Sequence, residues 1–242
     1  MIRRILSFIL FLGATAASAT PPDTIYVKDQ LFGANETHLF FLRTANDNLG
    51  LHVFGMKDTY LVAKNIDTGL DDEIWPVLRQ HGAPEYDEAG APTALIQTFP
   101  LASATDPFAV LAERGALYIT NPREVGDVPD DATLDSSGIV VGEFSLDADT
   151  LAKQMEHSVS TTLSAIQPYP DAEYVSMTFS TPTDLLGEWT IDLSECELIS
   201  TYRADPIYGM RIVQLARIEC WDVVQAQPAT LYVILQPVQA VE

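Results

Sequence analysis

Residues 147–170 read Asp147-Ala148-Asp149-Thr150-Leu151-Ala152-Lys153-Gln154-Met155-Glu156-His157-Ser158-Val159-Ser160-Thr161-Thr162-Leu163-Ser164-Ala165-Ile166-Gln167-Pro168-Tyr169-Pro170. Leu151, Met155, Val159, Leu163 and Ile166 recur at spacings of four, four, four and three, which places them on one face of a helix. Asp147 stands where a capping side chain accepts the first free backbone N–H groups. Pro168 and Pro170 end the segment, because proline cannot continue a helix. Such a stripe needs an apolar partner surface, and the flanking sequence supplies strands.

Downstream, Glu173–Ser180, Gly187–Leu193, Glu195–Tyr202, Tyr208–Cys220 and Thr230–Leu235 read as strands, with a turn at 204–207. Upstream, Thr24–Lys28 reads as a short strand. Thr37–Arg43 and Leu49–Phe54 flank the turn-forming run 44–48, a hairpin signal, and Thr59–Ile66 follows. Asp71 or Asp72 is placed to cap a helix running to about Gln80, with Gly82 as its stop. Thr93–Phe99 reads as a strand. Asp106 followed by Pro107 opens a helix over Phe108–Arg114, closed by Gly115. Ala116–Thr120 and Ile139–Ser145 read as strands. The fold class is therefore α+β, mainly antiparallel sheet in meanders, with two or three helices packed on it and one disulfide.

The 121–137 segment is rich in turn formers and acids. It is the candidate boundary between two subdomains, 20–121 and 138–242. Cys196 and Cys220 are the two cysteines, an even count that suits one disulfide in an exported chain. A tight hairpin around residues 204–207 would set Cys196 opposite about residue 214. Either the loop is longer than it looks, bulges shift the register, or the two segments pair differently.

The first 19 residues carry the three marks of a secretory signal in order. Arg3 and Arg4 supply the charge, residues 5–12 the short apolar run, and Ala17-Ser18-Ala19 the cleavage site, with Ala19 as its last residue. The apolar run is about half of what a spanning helix needs. Export to the periplasm or outside the cell is the expected localisation, with no membrane insertion after cleavage.

The 242-residue chain has a formal charge of −21. Loss of the two arginines at the start takes it to −23. A field of that sign repels nucleic acid and anionic lipid headgroups and favours cationic partners. Residues 124–152 hold eight acids and no lysine or arginine, and residues 154–202 hold no lysine or arginine either.

Chemistry-bearing motifs are scarce. His38, His52, His81 and His157 are the histidines. His38 and His52 cannot share a metal in either hairpin register, His81 falls at a helix end, and His157 falls on the solvated face of its helix. Nucleophile elbows, zinc-protease helices and phosphate loops are absent. No catalytic, cofactor-binding or metal residue is assigned. Calcium is the ion best suited to the acidic loops 67–73 and 127–131, since loops supply oxygen ligands readily. Asn35-Glu36-Thr37 has the form of a glycosylation acceptor.

These features point to an exported acidic protein. The first expectation is a non-enzymatic binding or accessory protein of the cell envelope, with a cationic protein or envelope component as partner. The alternatives are a hydrolase of glycans, peptides or esters, and a calcium-stabilised structural module.

Overall fold

A computed structural model describes residues 25–48, 55–86, 92–119, 128–167, 190–204, 212–222 and 228–238. The signal segment with Ala19 lies outside these residues. So do the 49–54 strand, 173–180 and the first three residues of the Gly187–Leu193 strand, whose last three residues open the strand that continues to Ala204.

Strands β1 (Ile25–Ala34), β2 (His38–Asp47), β3 (Met56–Asn65), β4 (Asp71–Tyr86) and β5 (Pro92–Pro100) form an antiparallel meander. Helix α1 (Pro107–Glu113) and the two-residue strand β6 (Leu117–Tyr118) follow, and β6 pairs with the end of β1. Strands β7 (Thr133–Asp135), β8 (Gly138–Val141) and β9 (Phe144–Asp147) make a second, shorter meander that leads directly into helix α2 (Ala148–Ala165). Strands β10 (Ile191–Ala204), β11 (Val213–Asp222) and β12 (Pro228–Pro237) close the described chain.

β12 is the hub. It runs parallel to β1 at Ala229 and Thr230, pairs with β9 at Gln236 and Pro237, and carries β11 and then β10 on its other edge. The twelve strands belong to one mixed, mostly antiparallel sheet. Residues 229–235 of β12 are buried on both faces, which suits the apolar run over 231–235.

α2 lies on one face of this sheet. Leu151, Met155, Val159 and Leu163 are buried there with Val62, Ile218, Leu231 and Val233. The Asp147 side chain caps the helix through the Thr150 amide, as expected. α1 covers the opposite face of the first meander, packing Val110 and Leu111 on Phe32, Phe40 and Leu61. Its cap at Asp106 and its proline at the first position also match the sequence reading.

Three local expectations are overturned. Residues 71–80 are not helical; they begin β4. Asp71-Asp72-Glu73 looks like a helix start, and Ile74 and Leu78 have helical spacing. Two register shifts produce that spacing, one beside Asp72 and one beside Val77. Bulges break the period-two alternation and also accommodate Pro76, as proline in a sheet requires. Ile74 packs on the α2 face, while Trp75 and Val77 pack on the α1 face.

The second correction concerns 139–145, which is two strands rather than one. Gly142 at a φ of 56° turns the chain so that Val141 pairs with Phe144. Third, the 44–47 segment is not a turn; it continues β2, and Thr44 through Asp47 pair with both β1 and β3.

The disulfide is present. Cys196 and Cys220 stand directly opposite each other on β10 and β11, with Cα atoms 4.2 Å apart. Ala204 pairs with Val213, so the connection runs over 205–212 and is longer than the 204–207 turn read from the sequence. A further shift between Leu198 and Ser200 adjusts the register.

Closing a loop of 24 residue steps limits the unfolded chain, worth roughly 3 kcal/mol in the chain-entropy account. Replacing both cysteines by serine should lower unfolding free energy by about that amount, read from urea denaturation without reductant. An unchanged midpoint would show that the crosslink adds nothing.

Candidate functional site

A second seam runs along α2 beside its apolar stripe. Gln154, Ser158 and Thr162 recur at intervals of four and are all buried. The sheet meets them with charged side chains at inward positions. In β1, Asp29 lies between Val27 and Leu31. In β2, Arg43 lies between Phe41 and Ala45. In β3, Lys64 lies between Val62 and Ile66. Each charge takes a place where strand alternation calls for an apolar residue.

Arg43 is paired directly across the ladder with Asp29. Its Nε donates to Asp29 Oδ1 at 2.5 Å and its Nη2 to Asp29 Oδ2 at 3.0 Å. Its Nη1 donates to the Asp71 carboxylate, to Ser158 O at 3.1 Å and to Thr162 Oγ1 at 3.3 Å. Lys64 Nζ donates to Ser158 Oγ and to Tyr232 O, each at 3.0 Å, and lies 3.6 Å from Asp71 Oδ1. His157 Nε2 lies 3.0 Å from the carbonyl oxygen of Asp71. The four ionisable groups Asp29, Arg43, Lys64 and Asp71 are all buried.

Two cations face two carboxylates, so the cluster balances its own charge. Burial opposes the Arg43 charge, but Asp29 and Asp71 outweigh it and raise the guanidinium pKa further. For Asp71, burial favours the neutral acid, and Arg43 with Lys64 overrides that, lowering its pKa to about 2. For Lys64, burial dominates and the pKa moves down, with Asp71 opposing the shift.

A second buried pair lies toward the other end of α2. Arg79 donates to both Asp58 oxygens at 2.5 and 2.6 Å, and to Gln167 O at 2.8 Å. The Tyr60 hydroxyl lies 3.1 Å from Asp58 Oδ2 and 3.1 Å from Ala165 O. Burial, with the Asp58 charge adding, raises the phenol pKa.

Lys64 beside Ser158 has the composition of a base and its nucleophile. Both side chains are sealed from solvent, so no substrate carbonyl can approach them. The Lys64 donors also engage Tyr232 O. This arrangement does mechanical work, holding α2 to β2, β3, β4 and β12.

The one hydroxyl–imidazole–carboxylate alignment at the described surface is Thr37–His38–Asp72. Thr37 Oγ1 lies 2.8 Å from His38 Nδ1, and His38 Nε2 lies 2.9 Å from Asp72 Oδ2. Asn65 Nδ2 donates to the same Asp72 oxygen at 3.0 Å. The Asn65 and His38 hydrogen bonds hold the Asp72 carboxyl below its ordinary pKa. The single proton of the Thr37 hydroxyl is also directed to Asn35 Oδ1 at 3.2 Å, so Asn35 and His38 Nδ1 compete for it. The β4 bulge sends Asp71 inward and Asp72 outward, and so creates both sites.

The remaining sequence candidates are dispersed. His81 sits in β4 rather than at a helix end, and burial followed by the Arg79 charge lowers its pKa. His157 is not on a solvated face, because it reaches the Asp71 backbone of the neighbouring strand. His52 lies outside the described residues. In the 67–73 loop, Asn65 Oδ1 accepts from the Asp67 and Thr68 amides, and the Asp71 carboxylate is committed to Arg43. Asp130 and Asp131 are exposed, and Asp127 lies outside the described residues. Among the described residues no group of three or more His, Cys, Asp or Glu side chains converges to hold a metal. Asn35 of the glycosylation pattern spends its Oδ1 on the Thr37 and His38 amides and its Nδ2 on Arg114 O.

No protein-family model matches the chain, and no curated protein or solved structure matches it.

Removing one partner of a buried ion pair strands the others. Asp71→Asn should cost about 3–5 kcal/mol of unfolding free energy, read by urea titration, whereas Asp72→Asn on the surface should cost under about 1 kcal/mol. Equal effects would remove Asp71 from its structural role. The folded Asp71 pKa lies below its unfolded value of 3.8, so its contribution is complete above that pH. It should fade as pH falls from about 4 toward about 2, and the shift corresponds to roughly 2 kcal/mol. Acid titration of Asp71→Asn should show a correspondingly shallower loss of stability than the native chain.

Proposed function

We propose that this chain is an exported, acidic binding or accessory protein of the cell envelope, whose partner is cationic. The observation that carries this reading is where the basic residues go. Residues 20–242 contain eleven lysines and arginines and thirty-four acids. Arg43, Lys64 and Arg79 are buried with Asp29, Asp47, Asp58 and Asp71. Subtracting three from eleven and four from thirty-four leaves eight basic residues against thirty acids outside that buried set. The buried set carries a net charge of only −1, so almost all of the net −23 of residues 20–242 lies outside it. Such a field accelerates encounter with cationic partners and rejects anionic ones.

The disulfide between β10 and β11 fits an oxidising compartment. None of the described helices is long and apolar enough to cross a membrane. A hydrolase remains the second reading, favoured by the Thr37–His38–Asp72 alignment.

Crosslinking of the tagged mature protein in intact cells, read by mass spectrometry, tests the first reading. It expects one saturable envelope partner with a basic surface. Capture should weaken severalfold with added salt, and again in the variant Asp130→Asn, Asp131→Asn, Glu143→Gln, which changes three exposed acids. Salt-insensitive capture, or turnover of an ester or peptide substrate lost in His38→Ala, would transfer the argument to the second reading.

A further inference from the structure

The α1–β6 corner carries three aromatic rings in mutual contact. Phe32, Phe108 and Tyr118 have centroids 5.1 to 5.2 Å apart, each touching the other two. Phe32 is buried and forms the floor. Phe108 remains 55 % and Tyr118 47 % exposed. Contiguous exposed apolar side chains of this size, built on rigid elements, mark interaction surfaces more often than isolated ones do.

The corner is firmly supported. Asp106 Oδ1 accepts from the Phe108 amide at 2.9 Å and fixes the start of α1. The Ile119 amide donates to Phe32 O at 3.0 Å, tying the chain after β6 to β1. A Cβ at Gly33 would lie 2.9 Å from a Leu111 methyl and 3.0 Å from Leu117 O. Glycine there lets helix, strand and β6 close on one another. The rings are thus held in place before any partner arrives, which lowers the ordering cost of binding.

The border of the corner is acidic. Asp106 precedes Phe108, and Glu113 ends α1. Glu36 follows Asn35, whose Nδ2 donates to Arg114 O at 3.0 Å. Among the described residues of α1 and β6 and their flanks, the cation Arg114 is already engaged. It donates to Glu73 at 2.6 Å and lies over the Trp75 ring at 5.4 Å.

We propose that the Phe108–Tyr118 corner is the docking surface for a basic amphipathic segment of a partner protein, one in which lysine or arginine alternates with large apolar side chains. The apolar residues seat on the rings, and the basic ones meet Glu36, Asp106 and Glu113. Cations also gain from the faces of Phe108 and Tyr118. This proposal rests on the cationic-partner reading above and locates it.

The test uses the mature chain and labelled synthetic peptides, followed by fluorescence anisotropy. A peptide alternating lysine with tryptophan should bind, and one alternating glutamate with tryptophan should not. The variant Phe108→Ser, Tyr118→Ser should weaken the lysine–tryptophan peptide by about tenfold or more, with unchanged melting temperature and circular dichroism. A lysine–glycine peptide of equal charge reports charge attraction alone and should be indifferent to the variant. If neither lysine peptide binds the native chain, the cationic-partner reading itself fails. If the lysine–tryptophan peptide binds native chain and variant equally, only the location fails. Should the double variant unfold, a photo-crosslinking version of the peptide replaces it. Crosslinks within residues 106–118 support the corner, and crosslinks confined elsewhere overturn it. Binding to zwitterionic lipid vesicles that is lost in Phe108→Ser would overturn the protein-segment occupant in favour of a membrane.

Discussion

Arg43 carries a full charge to a place that water does not reach, and every donor it has there is answered. Asp29 on the adjacent strand takes two of its hydrogen bonds, Asp71 from two strands away takes two more, and the Ser158 carbonyl and Thr162 hydroxyl of α2 complete the set. Three strands and a helix thus share one guanidinium. A buried ion pair gives little net stability against a well-packed apolar replacement. It does impose geometry, because a mispaired buried charge is far costlier than a mispaired methyl group.

That geometry sets how α2 lies on the sheet. Its apolar stripe specifies the position along the helix less sharply, since Leu151, Met155, Val159 and Leu163 are all apolar and recur every four residues. The polar seam fixes that position. Gln154 spans the backbone N–H and C=O of Ile234, Lys64 holds Ser158, and Arg79 holds the Gln167 carbonyl. Gly69, at a φ of 69°, would place a Cβ 2.1 Å from the Gln154 amide, so even the β3–β4 turn is shaped around the helix. The same arrangement draws three cations and four acids inside, so the buried set nearly cancels its own charge and the net acidity stays outside it. The internal bracing and the surface field are therefore two results of one placement of charge.

Much of this was readable where local signals agreed. The α2 stripe, the caps at Asp106 and Asp147, the stop at Gly115 and the pairing of Cys196 with Cys220 rest on short-range rules, and the structure follows them. The reading failed where bulges broke the alternation. In β4, the shifts beside Asp72 and Val77 gave strand residues the spacing of a helix, and the acids ahead of them looked like its cap. The charge cluster left a faint trace, since Asp29, Arg43 and Lys64 each have apolar residues two places before and after them. Single strands do not reveal which of their faces is inward, so that trace carried no meaning alone.

The sequence by itself determined the two helices, the mainly antiparallel character of the strands, the single crosslink and the net acidity, because each depends on residues near one another or on plain counting. Tertiary structure decided which charges are internal and which are offered to a partner. Asp71 and Asp72 are neighbours of the same type, yet one is locked to Arg43 in the core and the other faces His38 at the surface. A register shift of one residue in β4 made that division, and only the pairing of β4 with β3 could produce it.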